Sequence, residues 1–392
     1  MAQNSGVPTG DPGPASDLRG KVRQELDKLR GLAQRVSIEE VRQGEWFARL
    51  LKFSLDQYVQ EVDTAHFDQL YPGLSTEARI RARIDLAATY ASMAGGLTAG
   101  AYTGALAATL GSRGAASAVT LPAAGASFVL DLLFTSNLQL RLAYDIAVIS
   151  GVPLDLEDPE DLWRLIRVAF VVTGRASRWE ALGRRAPAAV RTMLLKVFTG
   201  DPAAASSSLP AMGRFLLQRN LVKFAVPGVG VPLSIGVNHW SANLAGNQAA
   251  TVFGREARIM ATARRVTDQA VDHAELLWVL WLIVRADAVV HENERLLLKH
   301  VAGLVGDLNS ELSALTGLDA TVNFDTRPTL SIPAFVSQDK EALYQAGVAA
   351  AAVDGSIDDN EISRLRKIAA HCSVPFNAAA VRRLAAEEAR AS

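Results

Sequence analysis

The sequence predicts an all-α protein made of two helical domains, and three observations carry that prediction. Helical periodicity and cap signals recur along the chain, while alternating strand patterns are scarce. Two long charge-free runs are rich in Ala, Gly, Ser and Thr. The last third writes one helix–turn–helix pattern twice, RADAVVHENERLLLKHVA at 285–302 and AVDGSIDDNEISRLRKIA at 352–369. At 392 residues the chain exceeds one ordinary core. The expected division is a disordered tail over 1–16, a glycine-rich helical domain with its N-terminal helices over 17–265, and a duplicated helical bundle over 266–392.

Composition narrows the partners. There are 40 basic and 41 acidic residues, a net charge of −1, and no basic block, so no nucleic-acid partner is expected. Cys372 is the single cysteine, which leaves no intrachain disulfide or Cys-based zinc site and fits a reducing compartment. The Gly/Pro/Ser-rich first sixteen residues lack a basic segment followed by an apolar one, so a cytoplasmic location is expected.

The elements follow in order. Val22, Leu26, Leu29, Leu32 and Val36 recur at helical spacing over 17–36. Ser37 and Glu40 form a capping box, which predicts a second helix running to the stop at Pro72-Gly73. A third starts near Ser75. Pro122 is expected to open the next, which Gly151 ends. Asp158-Pro159-Glu160-Asp161 signs another N-terminus. A polar linker covers 201–210, PGVGVP ending at Pro232 is turn chemistry, and a helix then runs to about Arg265. Helices over 273–286, 342–353 and 377–390 follow, with a loop of some β character over 318–333.

Gly96, Gly100 and Gly104 are spaced by four, which puts them on one helix stripe that another backbone could approach closely. Glycine costs a helix about 1 kcal/mol relative to alanine, so the stripe calls for close packing. The runs around it are longer than the roughly 20 residues that span a bilayer. Their small-residue composition makes transfer weak. A buried soluble core is therefore the expectation for 86–130 and 224–254, with peripheral membrane contact and membrane insertion as the alternatives.

Within this apolar region stand Asp131, Arg141, Asp145, Asn238, His239 and Asn243. Buried polar groups need partners, so these are expected to pair across helices, with Arg141 reaching Asn137 or Asp145 along its own helix. The alternative is a hydrolase pocket built on Asp131, His239 and Asn243. No nucleophile motif, phosphate loop, HExxH or dinucleotide fingerprint is present, so no catalytic or cofactor-binding residue is assigned.

In the repeat, Asp287 with Glu294 matches Asp354 with Glu361. Each aspartate follows an apolar helix, where the helix dipole disfavours a carboxylate. Asp358 with Glu361 has the form of a capping box, which explains the glutamate structurally. The functional alternative is divalent-cation binding by Asp287, Glu294, Asp354 and Glu361, an oxygen set suited to Ca²⁺ or Mg²⁺.

The duplicated D-(G)-x5-E-x-x-x-L pattern over 267–388, carried by Asp354, Gly355 and Glu361 and by Asp287 and Glu294, resembles the TerB-like domain of tellurite-resistance proteins. The glycine-rich run with Gly96, Gly100 and Gly104, the helix from Asp131 to Gly151 and PGVGVPLSIGVNHW resemble the EcsC family over 75–265. These resemblances imply a non-enzymatic binding protein of bacterial stress response or envelope, at the inner face of the membrane. They imply a divalent cation and a protein partner or second copy at the TerB-like part, and membrane or subunit contact at the EcsC-like part. A purely structural scaffold stands as a further alternative.

Overall fold

The computed structural model describes residues 14–112, 117–170, 210, 212–214, 216–217, 230–284, 286, 292–308 and 339–391. Most of the expected linker, the start of PGVGVP, the 318–333 loop, Asp287 and His291 lie outside them. Among the described residues every element is a helix, in agreement with the all-α expectation. The helices are α1 (Pro14–Ala33), α2 (Ile38–Gln43), α3 (Trp46–Leu55), α4 (Tyr58–Glu61), α5 (Thr64–Leu70), α6 (Thr76–Gly111) and α7 (Ser117–Ile149). They continue with α8 (Pro159–Phe170), α9 (Gly230–Gln269), α10 (His273–Val284), α11 (Glu292–Leu308), α12 (Lys340–Ala352), α13 (Asp359–Cys372) and α14 (Ala378–Ala391).

The capping box at Ser37 forms as expected, its hydroxyl accepting from the Glu40 amide and the Glu40 carboxylate accepting from the Ser37 amide. The single helix expected after it is instead four. Gly44 ends α2 at a left-handed φ of 86°, and Asp63 restarts the chain by capping the His66 amide at 2.8 Å. These local caps override the long apolar periodicity. α7 begins at Ser117, earlier than Pro122 suggested.

The chain divides into two units, residues 1–253 and 254–392. The division falls inside α9, earlier than the expected boundary at 265, because Ile259, Ala263 and Val266 belong to the core of unit 2. In unit 1, α7 is the central helix and packs against α1, α3, α5, α6 and α8. Its residues 131–140 are all buried, the polar Asp131, Thr135, Ser136, Asn137 and Gln139 among them. α6 and α7 pair antiparallel, as Thr98 meets Asp131 and Arg83 meets Asp145. Phe47 packs edge-on against Trp46 and Phe170, ring centres 5.7 and 5.5 Å away. Each such buried side chain contributes about 1.5–3 kcal/mol. In unit 2, α10 and α12 pack together with α11, α13 and α14 around Leu276, Leu280, Val301, Leu343 and Leu365. No helix among the described residues is long and apolar enough to cross a membrane.

Candidate functional site

The start of α11 meets the end of α12 in unit 2. Asn293, at the start of α11, directs its side-chain amide to the Val353 carbonyl at the end of α12, 3.4 Å away. Beside these residues stand the matched glutamates, Glu294 at 3% exposure and Glu361 at 7%. Glu361 lies within the α13 capping box: its carboxylate accepts from the Asp358 amide at 2.9 Å, and Asp358 accepts from the Glu361 amide at 2.7 Å. Burial pushes the Glu361 carboxyl from its ordinary 4.5 up to about 7. The Asp358 amide opposes that rise, while the negative charges of Glu294, Asp354 and Asp358 add to it. Two of the four expected acids, one from each copy, therefore act on one another inside the fold.

Asp354 has its own local role. Its carboxylate accepts from the Ser356 amide and from the Ser356 hydroxyl, both at 2.8 Å. That turn supplies the donors which a carboxylate beyond a helix C-terminus requires. Gly355 occupies the left-handed region at φ 83°, and a Cβ there would come within 2.9 Å of Ala389. The described residues contain no group of three or more His, Cys, Asp or Glu arranged to hold a metal, and Asp287 lies outside them.

In unit 1 the expected polar set separates into three places. Asp131 is fully buried and accepts from the Thr98 hydroxyl at 2.9 Å and the Asn238 amide at 3.0 Å, so α6, α7 and α9 share one carboxylate. Asp145, also fully buried, accepts from the Tyr58 hydroxyl at 2.7 Å and from Arg83 Nε at 2.6 Å. Burial and then the charge of Asp145 push the Tyr58 phenol up, so it remains a donor. Burial alone would lower Arg83, but Asp145 and Tyr58 hold the guanidinium above its ordinary range. Arg141, expected to reach Asn137 or Asp145, instead reaches the Ser54 carbonyl at 3.2 Å, approaches Glu25 at 3.6 Å and covers the Tyr58 ring. Asp145 is better served by the two donors that converge on it from neighbouring helices.

His239 lies on an exposed face of α9, its Nδ1 3.1 Å from the Ser92 hydroxyl, and Asn243 donates to the His239 carbonyl. The convergence of Asp131, His239 and Asn243 that a hydrolase pocket would need is not formed. The close helix approach also sits one residue away from the expected stripe. A Cβ at Gly95 would meet Asn238 Nδ2 at 2.6 Å and the Ser234 carbonyl at 2.9 Å. Gly96 contacts only Ile235 at 3.4 Å, and Gly100 and Gly104 have nothing within 4 Å among the described residues. Gly44 and Gly213 form a second close approach, where a Cβ added at Gly213 would overlap the Gly44 carbonyl oxygen. The residues that sequence reasoning missed are Tyr58, Arg83, Gly95, Thr98 and Asn293. Asn293 alone had a visible signal, since it precedes Glu294 as Asn360 precedes Glu361.

Comparison with protein-family models, with curated proteins and with solved structures gives no match for this chain.

Proposed function

We propose that this chain is a non-enzymatic binding protein of the bacterial stress-response or envelope type. In this proposal unit 2 takes up a divalent cation at its paired turns and couples that uptake to a protein partner. One observation carries it: Glu294 and Glu361, equivalent positions of the two copies, are both buried, and Asn293 beside Glu294 reaches the end of α12. The charges of Glu294, Asp354 and Asp358 add to burial in favouring the protonated form of Glu361. Near neutral pH a cation with oxygen preference would replace that proton.

Unit 1 supplies the contact surface. Ile235 at 38% and Trp240 at 59% exposure stand out from α9, and Ile235 lies on Gly96 of α6. An outward tryptophan beside a face of small residues suits peripheral contact with a membrane surface or another subunit.

Calorimetric titration of the full chain with Mg²⁺, Ca²⁺, Mn²⁺ and Zn²⁺ tests the first half. Binding with proton release, abolished in Glu294→Gln and Glu361→Gln, is expected; no binding of any of the four ends the cation assignment. Co-sedimentation with anionic vesicles tests the second half, and Trp240→Ala should reduce the bound fraction. Absence of vesicle binding together with a monomeric chain would remove the contact role of unit 1.

A further inference from the structure

Unit 2 holds a second feature that the paired turns do not use. A groove of about 290 Å³ runs between α9, α12 and α14. Its floor is apolar, made by Ile259, Val266, Val348 and Ala352, all buried. Its wall carries Arg255, Arg258 and Arg265 from one face of α9, opposed by Glu388 of α14. The face arises because these positions, with Thr262 between them, recur at helical spacing.

Among the described residues none of the three guanidinium groups has a carboxylate partner. Arg255 and Arg258, three apart on a helix, repel one another mildly. Arg255 Nε is buried and has no acceptor among the described residues. Buried N–H donors are rarely left unsatisfied, and a missing acceptor beside an apolar floor marks where an acceptor would sit. A planar guanidinium fork matches the oxygens of a carboxylate or phosphate.

We propose that this groove binds a small amphipathic oxyanion. A carboxylate or phosphate head would be held by Arg255, Arg258 and Arg265, with a short apolar body laid on Ile259, Val266 and Val348. The volume lies near the roughly 300 Å³ lower end of small-ligand sites, so a short chain fits and a long one extends past the exposed rim at Leu384. Glu388 on the opposite wall disfavours a second anionic group on the body of the ligand.

Calorimetry on the full chain, below micelle-forming concentrations, would compare octyl phosphate, octanoate, inorganic phosphate and octyl glucoside. At least one of the two anionic amphiphiles should bind, and the glucoside and inorganic phosphate should bind at least about tenfold more weakly, since the head-group charge and the apolar body each contribute. The preference between phosphate and carboxylate identifies the head group. Arg258 and Arg265 are exposed, so Arg258→Gln/Arg265→Gln should fold as the parent does, with about tenfold weaker binding and a flatter salt dependence. Glu388→Gln should tighten binding. Glu361→Gln should leave it unchanged, which separates this site from cation uptake at the turns. Equal binding of octyl glucoside, equal binding by the double-arginine variant, or no binding of either anionic amphiphile would overturn the assignment.

Discussion

Replacing Asp145 by alanine removes the only negative charge that the described residues place against the Arg83 guanidinium, 2.6 Å away. The Arg83 side chain is 12% exposed and that of Asp145 0%, so water cannot take over the lost interaction. Tyr58 loses its acceptor in the same step. Breaking one side of a buried pair costs about 3–5 kcal/mol, chiefly because the surviving charge remains buried. For a domain of this size, one kcal/mol moves the melting temperature by about 2–4 °C, so the transition of unit 1 should fall by roughly 6–20 °C. Scanning calorimetry reads that change. The double variant Arg83→Met/Asp145→Leu removes both charges while keeping apolar volume, and it should melt well above Asp145→Ala. If the single variant melts within a degree or two of the parent, or below it by no more than the double variant does, the buried pair does not hold α6 to α7 as argued.

Other substitutions probe different contacts. Gly95→Ala should cost about 1–3 kcal/mol in urea unfolding, because its Cβ meets Asn238 and the Ser234 backbone at less than 3.0 Å. Gly100→Ala, with nothing within 4 Å, should instead be neutral or stabilise the helix by up to about 1 kcal/mol. The raised Glu361 carboxyl makes unit 2 bind an extra proton when folded. Its contribution to stability is therefore fully present below the ordinary value of 4.5 and is lost as pH rises through about 7. Glu361→Gln, which keeps the capping box, should flatten the fall in melting temperature across that window. Gly355→Ala should destabilise unit 2 by about 1–3 kcal/mol in the same urea assay, through its left-handed φ and the clash with Ala389.

What the sequence disclosed was local. Ser37 and Glu40, and Asp358 and Glu361, form their capping boxes because both partners of each lie three residues apart. The all-helical class and the apolar surroundings of α7 were likewise legible from periodicity and from missing charge. Pairings between distant segments were not. Asp145 to Arg83 and Tyr58, and Asp131 to Thr98 and Asn238, depend on which faces of packed helices meet, and no spacing within one helix encodes that. The glycine stripe illustrates the limit: a four-residue period identifies a small face, yet the position that meets a backbone is Gly95, outside the period. The repeat acids were found by duplication alone, while their roles diverge, Glu361 into a buried box and Asp354 into a turn with Ser356.

That turn bears on how the chain ages. An Asp-Gly step can close into a succinimide and reopen as isoaspartate, a reaction in which the glycine nitrogen attacks the aspartate carboxyl carbon and expels water. In the fold the Gly355 amide is committed to the Ala352 carbonyl at 3.0 Å, and the Asp354 carboxylate is pulled towards Ser356. The attacking nitrogen and its target are thereby held out of alignment. Chemical damage at 354 should accumulate in chains that have lost unit 2 and not in folded ones, so the isoaspartate content of a stored sample would record how long this module has spent open.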